Sequence, residues 1–121
     1  MKKILVAEDD TFLASAYKLK LVKEGFDVLI AKDGQELMKT IPVFSPDLII
    51  LDLIMPRKDG FSILQELKND DKYKNIPIII ASNLGQKEDI EKAQALGVTD
   101  FIVKSDLSME DLVARIRTKL A

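Results

Sequence analysis

Five short apolar runs without alternation recur along the chain: Ile4 to Ala7, Val28 to Ala31, Leu48 to Leu51, Ile76 to Ala81 and Phe101 to Val103. A half-solvated strand alternates apolar with polar residues, so runs that are apolar at every position suit strands covered on both faces. Segments with helical spacing lie between them. Leu13, Ala16, Tyr17 and Leu21 form one stripe ahead of Gly25; Phe61, Leu64 and Leu67 form another; Met109, Leu112, Val113, Ile116 and Leu120 form the last. Asp33 with Glu36, and Ser108 with Asp111, resemble capping boxes, and Gly25 and Gly97 stand where helices should stop. The Ile90, Ala93, Leu96 stripe of the fourth helix is the weakest, so that helix should be the least firmly packed. Strands alternating with helices over short connections predict an α/β fold, a doubly wound five-stranded parallel sheet with five helices and right-handed crossovers. The 121 residues are read as one domain, 1–121, long enough to bury about two thirds of the unfolded surface.

Composition then narrows the chemistry. The chain has no Cys and no His, which removes disulfides, thiol nucleophiles, Cys/His zinc sites and imidazole bases. Carboxylate, hydroxyl and ammonium chemistry remains. A net charge of −2 supplies no basic footprint, so direct nucleic-acid binding is not expected. After Met1-Lys2-Lys3 only Ile4-Leu5-Val6-Ala7 precede Glu8-Asp9-Asp10, too short for a signal-peptide core or a membrane span. The expectation is a cytoplasmic protein with no membrane insertion.

In doubly wound sheets ligands bind at the carboxyl ends of the strands, where the strand order reverses. Strand one runs into Glu8-Asp9-Asp10, strand three into Asp52, strand four into Ser82-Asn83 and strand five into Lys104-Ser105. Carboxylates gathered there repel one another, and a divalent cation is their natural relief. Mg2+ takes octahedral oxygen ligands at about 2.0 to 2.1 Å and keeps several waters, which suits two or three carboxylates and a backbone carbonyl in an open crevice; Mn2+ is an alternative. Asp10 is instead expected to cap the next helix. Lys104 offers a positive charge, Ser82 a hydroxyl donor and Asp52 a carboxylate nucleophile, which together describe a phosphoryl site.

Glu8-Asp9, Asp52 in Asp52-Leu-Ile-Met55-Pro56-Arg-Lys-Asp59-Gly60, Ser82, Phe101 and Lys104, at these intervals, resemble the receiver domain of two-component response regulators, of the chemotaxis-regulator kind, across the whole chain. The resemblance implies a flavodoxin-like sheet of order 2-1-3-4-5. It implies that Asp52 accepts a phosphoryl group from a sensor histidine kinase or phosphotransfer protein. Glu8, Asp9, Asp52 and the Ile54 carbonyl would hold Mg2+, and Lys104 would bind the phosphoryl group. Ser82 and Phe101 would form a switch pair. The family usually has Pro after the strand-five lysine, often across a cis bond; Ser105 stands here, and a cis bond before it would cost about 2.5 to 4 kcal/mol, so a trans or strained loop is expected. Asn83 replaces the usual Ala or Gly and narrows access to the site. Ile54 and Leu84 place apolar chains at positions that flank the phosphoryl group in the family.

The same resemblance points to helix 4, strand 5 and helix 5 as the surface for an output partner or a homodimer, with Arg115 and Asp100 a candidate pair. Phe12, Leu19 and Val22 lie off the core stripe of helix one and mark a competing docking patch. A phosphatase of the haloacid dehalogenase type would need a second Asp where Ile54 stands. A flavodoxin would need a hydroxyl- and glycine-rich phosphate loop where Asp9-Asp10-Thr11 stand. Neither fits. The expected role is a phosphorylation switch rather than a turnover enzyme, and the remaining alternative is a receiver-like interaction module that signals without phosphorylation.

Overall fold

The computed structural model describes residues 1–56 and 59–121; Arg57 and Lys58 of the Met55 to Gly60 segment lie outside the described residues. The apolar runs form β1 (Lys3–Ala7), β2 (Asp27–Ala31), β3 (Leu48–Leu51), β4 (Ile78–Ser82) and β5 (Asp100–Val103). The helices between and after them are α1 (Thr11–Lys23), α2 (Gly34–Phe44), α3 (Gly60–Asn69), α4 (Lys87–Ala95) and α5 (Met109–Leu120). All strand pairs are parallel, in the order β2-β1-β3-β4-β5. The doubly wound architecture is therefore as expected, including the strand order.

The three central strands are buried at nearly every position, whereas the edge strands β2 and β5 keep half-buried or exposed residues such as Leu29. Residues that alternate along β1 and β3 serve two different cores. Leu5, Ile49 and Leu51 join Leu37, Ile41, Ile63, Leu64 and Ala93 under α2, α3 and α4, while Ile4, Val6, Leu48 and Ile50 join Tyr17, Leu21, Leu112 and Ile116 under α1 and α5. Continuous apolar runs are thus what a sheet covered on both sides requires.

Local chemistry sets the boundaries. Asp10, Asp33 and Ser108 cap α1, α2 and α5 by accepting from the backbone N–H groups of Leu13, Glu36 and Asp111. Gly25 and Gly97 follow α1 and α4 with φ of 94° and 93°, a left-handed conformation that glycine adopts without strain. The strand-four run begins at Ile76, but β4 begins at Ile78, because Pro77 has no N–H for the ladder. Ala16, expected on the core stripe of α1, is exposed; Ala14 takes its place, since the buried face follows the three-residue step from Ala14 to Tyr17 and then the four-residue step to Leu21. α4 buries only Ala93 among its residues, and its N-cap Gln86 makes no side-chain capping bond, in line with the weak packing expected of it.

Candidate functional site

The sheet order reverses between β1 and β3, and the acidic residues leave the sheet there. Two hydrogen bonds extend the ladders past the strand ends, Glu8 N–H to Ala31 O at 3.0 Å and Asp52 N–H to Ala7 O at 3.1 Å. They fix the backbones that carry the two carboxylates. Glu8 is 1% exposed and Asp52 4% exposed, while Asp9 remains open to solvent. One carboxylate oxygen from each of Glu8, Asp9 and Asp52 lies within 4.8 Å of the others.

Lys104, in a 3₁₀ turn directly after β5, reaches over this acidic floor. Its Nζ lies 2.7 Å from Asp52 Oδ2 and 2.8 Å from Glu8 Oε1. Asp52 Oδ1 accepts from Ile54 N–H at 3.1 Å, and Glu8 Oε2 from Asp10 N–H at 3.1 Å. Burial pushes the Glu8 carboxyl above its ordinary value; Lys104 and the Asp10 N–H work against the rise, and the Asp52 charge adds to it. Burial works against the Lys104 charge too, but the hydrogen bonds and fields of Asp52 and Glu8 outweigh it and hold its proton more tightly than in an ordinary lysine. Lys104 thus bridges two of the three clustered carboxylates, Glu8 and Asp52, with Asp9 close beside them. A divalent cation would balance that cluster, and the oxygen-only donor set suits a hard one.

The peptide bond between Lys104 and Ser105 is trans, since none among the described residues is cis, and Lys104 still meets Asp52. A 3₁₀ turn over Lys104–Asp106 takes the chain out of β5 at this point. Ser82 is fully buried at the end of β4; its hydroxyl accepts from Leu84 N–H at 3.3 Å and so shapes the exit of that strand. Phe101 is half-buried and packs against the opposite core, under α2, α3 and α4, so it is separated from the carboxylates by the sheet. Asp59 caps α3 by accepting from Phe61 N–H. Sequence reasoning placed Lys104 against a phosphoryl group but not against Glu8, because no local pattern signals a contact across two intervening strands.

The sequence model described as "Response regulator receiver domain" matches residues 4–117. The chain belongs to this family. Among curated proteins it is 33% identical over 120 residues to the DNA-binding dual master transcriptional regulator RpaA of Synechocystis sp., covering 99% of this chain and 49% of that one. The receiver thus spans about half the length of that relative. Among solved structures, the receiver domain of the Francisella response regulator 1452 superposes with a TM-score of 0.90 at 32% identity, covering 99% and 97% of the two chains. The BeF3-activated N-terminal receiver domain of Klebsiella pneumoniae RstA superposes with a TM-score of 0.90 at 28% identity, covering 98% of each. The receiver is accordingly a two-component signalling domain, and no helix among its described residues is long and apolar enough to cross a membrane.

Proposed function

We propose that residues 1–121 act as one phosphoacceptor receiver in the cytoplasm, with Asp52 as the acceptor. The observation that carries this reading is the fork of Lys104 Nζ between the buried Glu8 and Asp52 carboxylates, beside the open Asp9. An Asp52 carboxylate oxygen attacks phosphorus, the P–N bond of a phosphohistidine breaks, and the imidazole leaves with the electron pair and takes a proton from solvent. Lys104 neutralises charge gathering on the equatorial oxygens, and the Ile54 N–H holds the carboxylate in place. Glu8, Asp9, Asp52 and the Ile54 carbonyl would hold Mg2+ (or Mn2+), which supplies charge neutralisation and orientation of the phosphoryl group. Ser82 then turns its hydroxyl from Leu84 N–H toward the phosphoryl group while the Phe101 ring moves inward behind it.

The phosphodonor, a sensor histidine kinase or phosphotransfer protein, docks on α1. Phe12 is 90% exposed and Leu19 77% exposed on a helix whose N-terminus opens at the site. The output surface lies on α4, β5 and α5, toward a partner or a second copy of the chain. Arg115 and Lys119 both hold Asp100 there, at 3.3 and 2.6 Å. Intact-mass spectrometry after incubation with acetyl phosphate tests the reading: one phosphoryl group is gained with Mg2+ and none with a chelator. No gain with Mg2+ would favour an interaction module that signals without phosphorylation.

Two outcomes check the parts. Asp9→Asn relieves repulsion and should melt above wild type without metal, yet lose the Mg2+ response; in wild type that response amounts to about 2.7 kcal/mol at a free Mg2+ one hundred times its Kd. Thermal unfolding with and without Mg2+ reads both, and an undiminished shift in Asp9→Asn would place the metal elsewhere. The second concerns how long the phosphoryl group survives. Ile54, 54% exposed, and the half-buried Leu84 offer no hydrogen bond to a water in line with the breaking bond. Decay after donor removal should therefore be slow, and faster in Ile54→Asn and in Ile54→Asn with Leu84→Glu. Equal or slower decay in both variants would mean that water reaches the phosphoryl group by another route.

A further inference from the structure

Tyr17 is fully buried, and its hydroxyl has no hydrogen-bond partner among the described residues. A phenylalanine would fill the same space without stranding a donor, so the hydroxyl costs this state something and returns nothing within it. Its position suggests where the return lies. Tyr17 shares a core with Ile4 and Val6 of β1 and with Leu48 and Ile50 of β3. These are alternate residues on one face of the sheet, and the next on that face are Glu8 and Asp52, whose ladder bonds continue the strand geometry. Burial, then the negative charges of Glu8 and of Asp52, push the phenol above its ordinary value. The hydroxyl is a spare donor beneath the acidic floor.

Glu8 is the acid whose partners would change: Mg2+ would take one of its carboxylate oxygens, and the other would be left short of a donor once Lys104 moves. Lys104 and the Asp10 N–H supply its hydrogen bonds, and its burial leaves little access to solvent. A phosphoryl group on Asp52 carries more charge than the carboxylate it replaces and draws Lys104 toward itself. We propose that Tyr17 is a positioning residue for the phosphorylated state: its hydroxyl donates to Glu8, directly or through one buried water, as Lys104 shifts to the phosphoryl group. This rests on Asp52 being the acceptor. It makes the orphaned hydroxyl a device that lowers the free energy of the phosphorylated conformation and leaves the other without it.

The chain contains two tyrosines and no tryptophan, so Tyr73→Phe leaves Tyr17 as the sole emitter. A phenol that bonds to a carboxylate loses emission. In Tyr73→Phe, adding Mg2+ and beryllofluoride, a phosphoryl mimic, should quench the Tyr17 emission. In Tyr17→Phe, the resting protein should melt at or above wild type, while beryllofluoride binding, read by its thermal shift, weakens about three- to tenfold. Tyr73→Phe should bind it as wild type does. If Tyr17→Phe binds the mimic as tightly as wild type and the emission does not change, the inference is overturned and Asp52 keeps its role. If wild type itself neither binds the mimic nor takes up a phosphoryl group, the acceptor reading fails and this one with it.

Discussion

Lys104→Ala is expected to lower stability by about 3 kcal/mol and to slow phosphorylation by about 100- to 1,000-fold. Both losses have one cause. The ammonium compensates two carboxylates that are almost wholly removed from water, and its loss strands like charges at the bottom of the crevice. The stability loss corresponds to a fall in Tm of about 10 °C. Mg2+ should then recover more in the variant than it adds to wild type, because the cation takes over the balancing role of the missing ammonium. Urea unfolding with and without Mg2+, beside the time course of phosphorylation, separates the two effects. Wild-type stability in the variant would mean that the acids are compensated by water rather than by the lysine.

Gly60→Ala should be the most damaging single-methyl addition near the site, at about 2 to 3 kcal/mol. A Cβ on Gly60 would run into Leu53 Cα and lie 2.8 Å from the Asp52 carbonyl oxygen. Backbone, not a pliable side chain, stands in its way. α3 begins at this glycine, whose N–H bonds to Leu53 O at 3.1 Å, so the methyl forces the helix start and the exit of β3 apart and displaces Asp52. Phosphorylation should slow in step with the loss of stability. Gly85→Ala is the matched control: its Cβ would meet a methyl of Val103 at 2.8 Å, which a side-chain rotation relieves, and the cost should be under half as large. Equal Tm losses in the two variants would show that the close approach at Gly60 yields easily.

The architecture was legible because central parallel strands must be apolar on both faces, and Leu48 to Leu51 states that requirement without interruption. Edges were less legible. Pro77 trimmed β4 through a missing donor, and the α1 stripe ran through Ala14 rather than Ala16, a choice that apolar spacing alone cannot make between two alanines two positions apart. The acidic residues could be assigned to one end of the sheet from strand order alone, and Glu8, Asp9 and Asp52 do come together there. The bridge from Lys104 to Glu8 was not legible, because it depends on how far a long side chain leans across neighbouring strands. Nor was the state of the Tyr17 hydroxyl: its spacing marks a core residue, and only the packing shows that the polar end has no hydrogen-bond partner among the described residues.

The most direct test of Asp52 as the acceptor is chemical localisation. Borohydride reduces an aspartyl phosphate to homoserine, which fragment mass spectrometry places on the chain. After treatment with acetyl phosphate and Mg2+, homoserine should be found at position 52 and at no other acidic position, and Asp52→Asn should gain no phosphoryl mass. Homoserine at Asp9 or Asp10, or a full gain of mass in Asp52→Asn, would contradict the account.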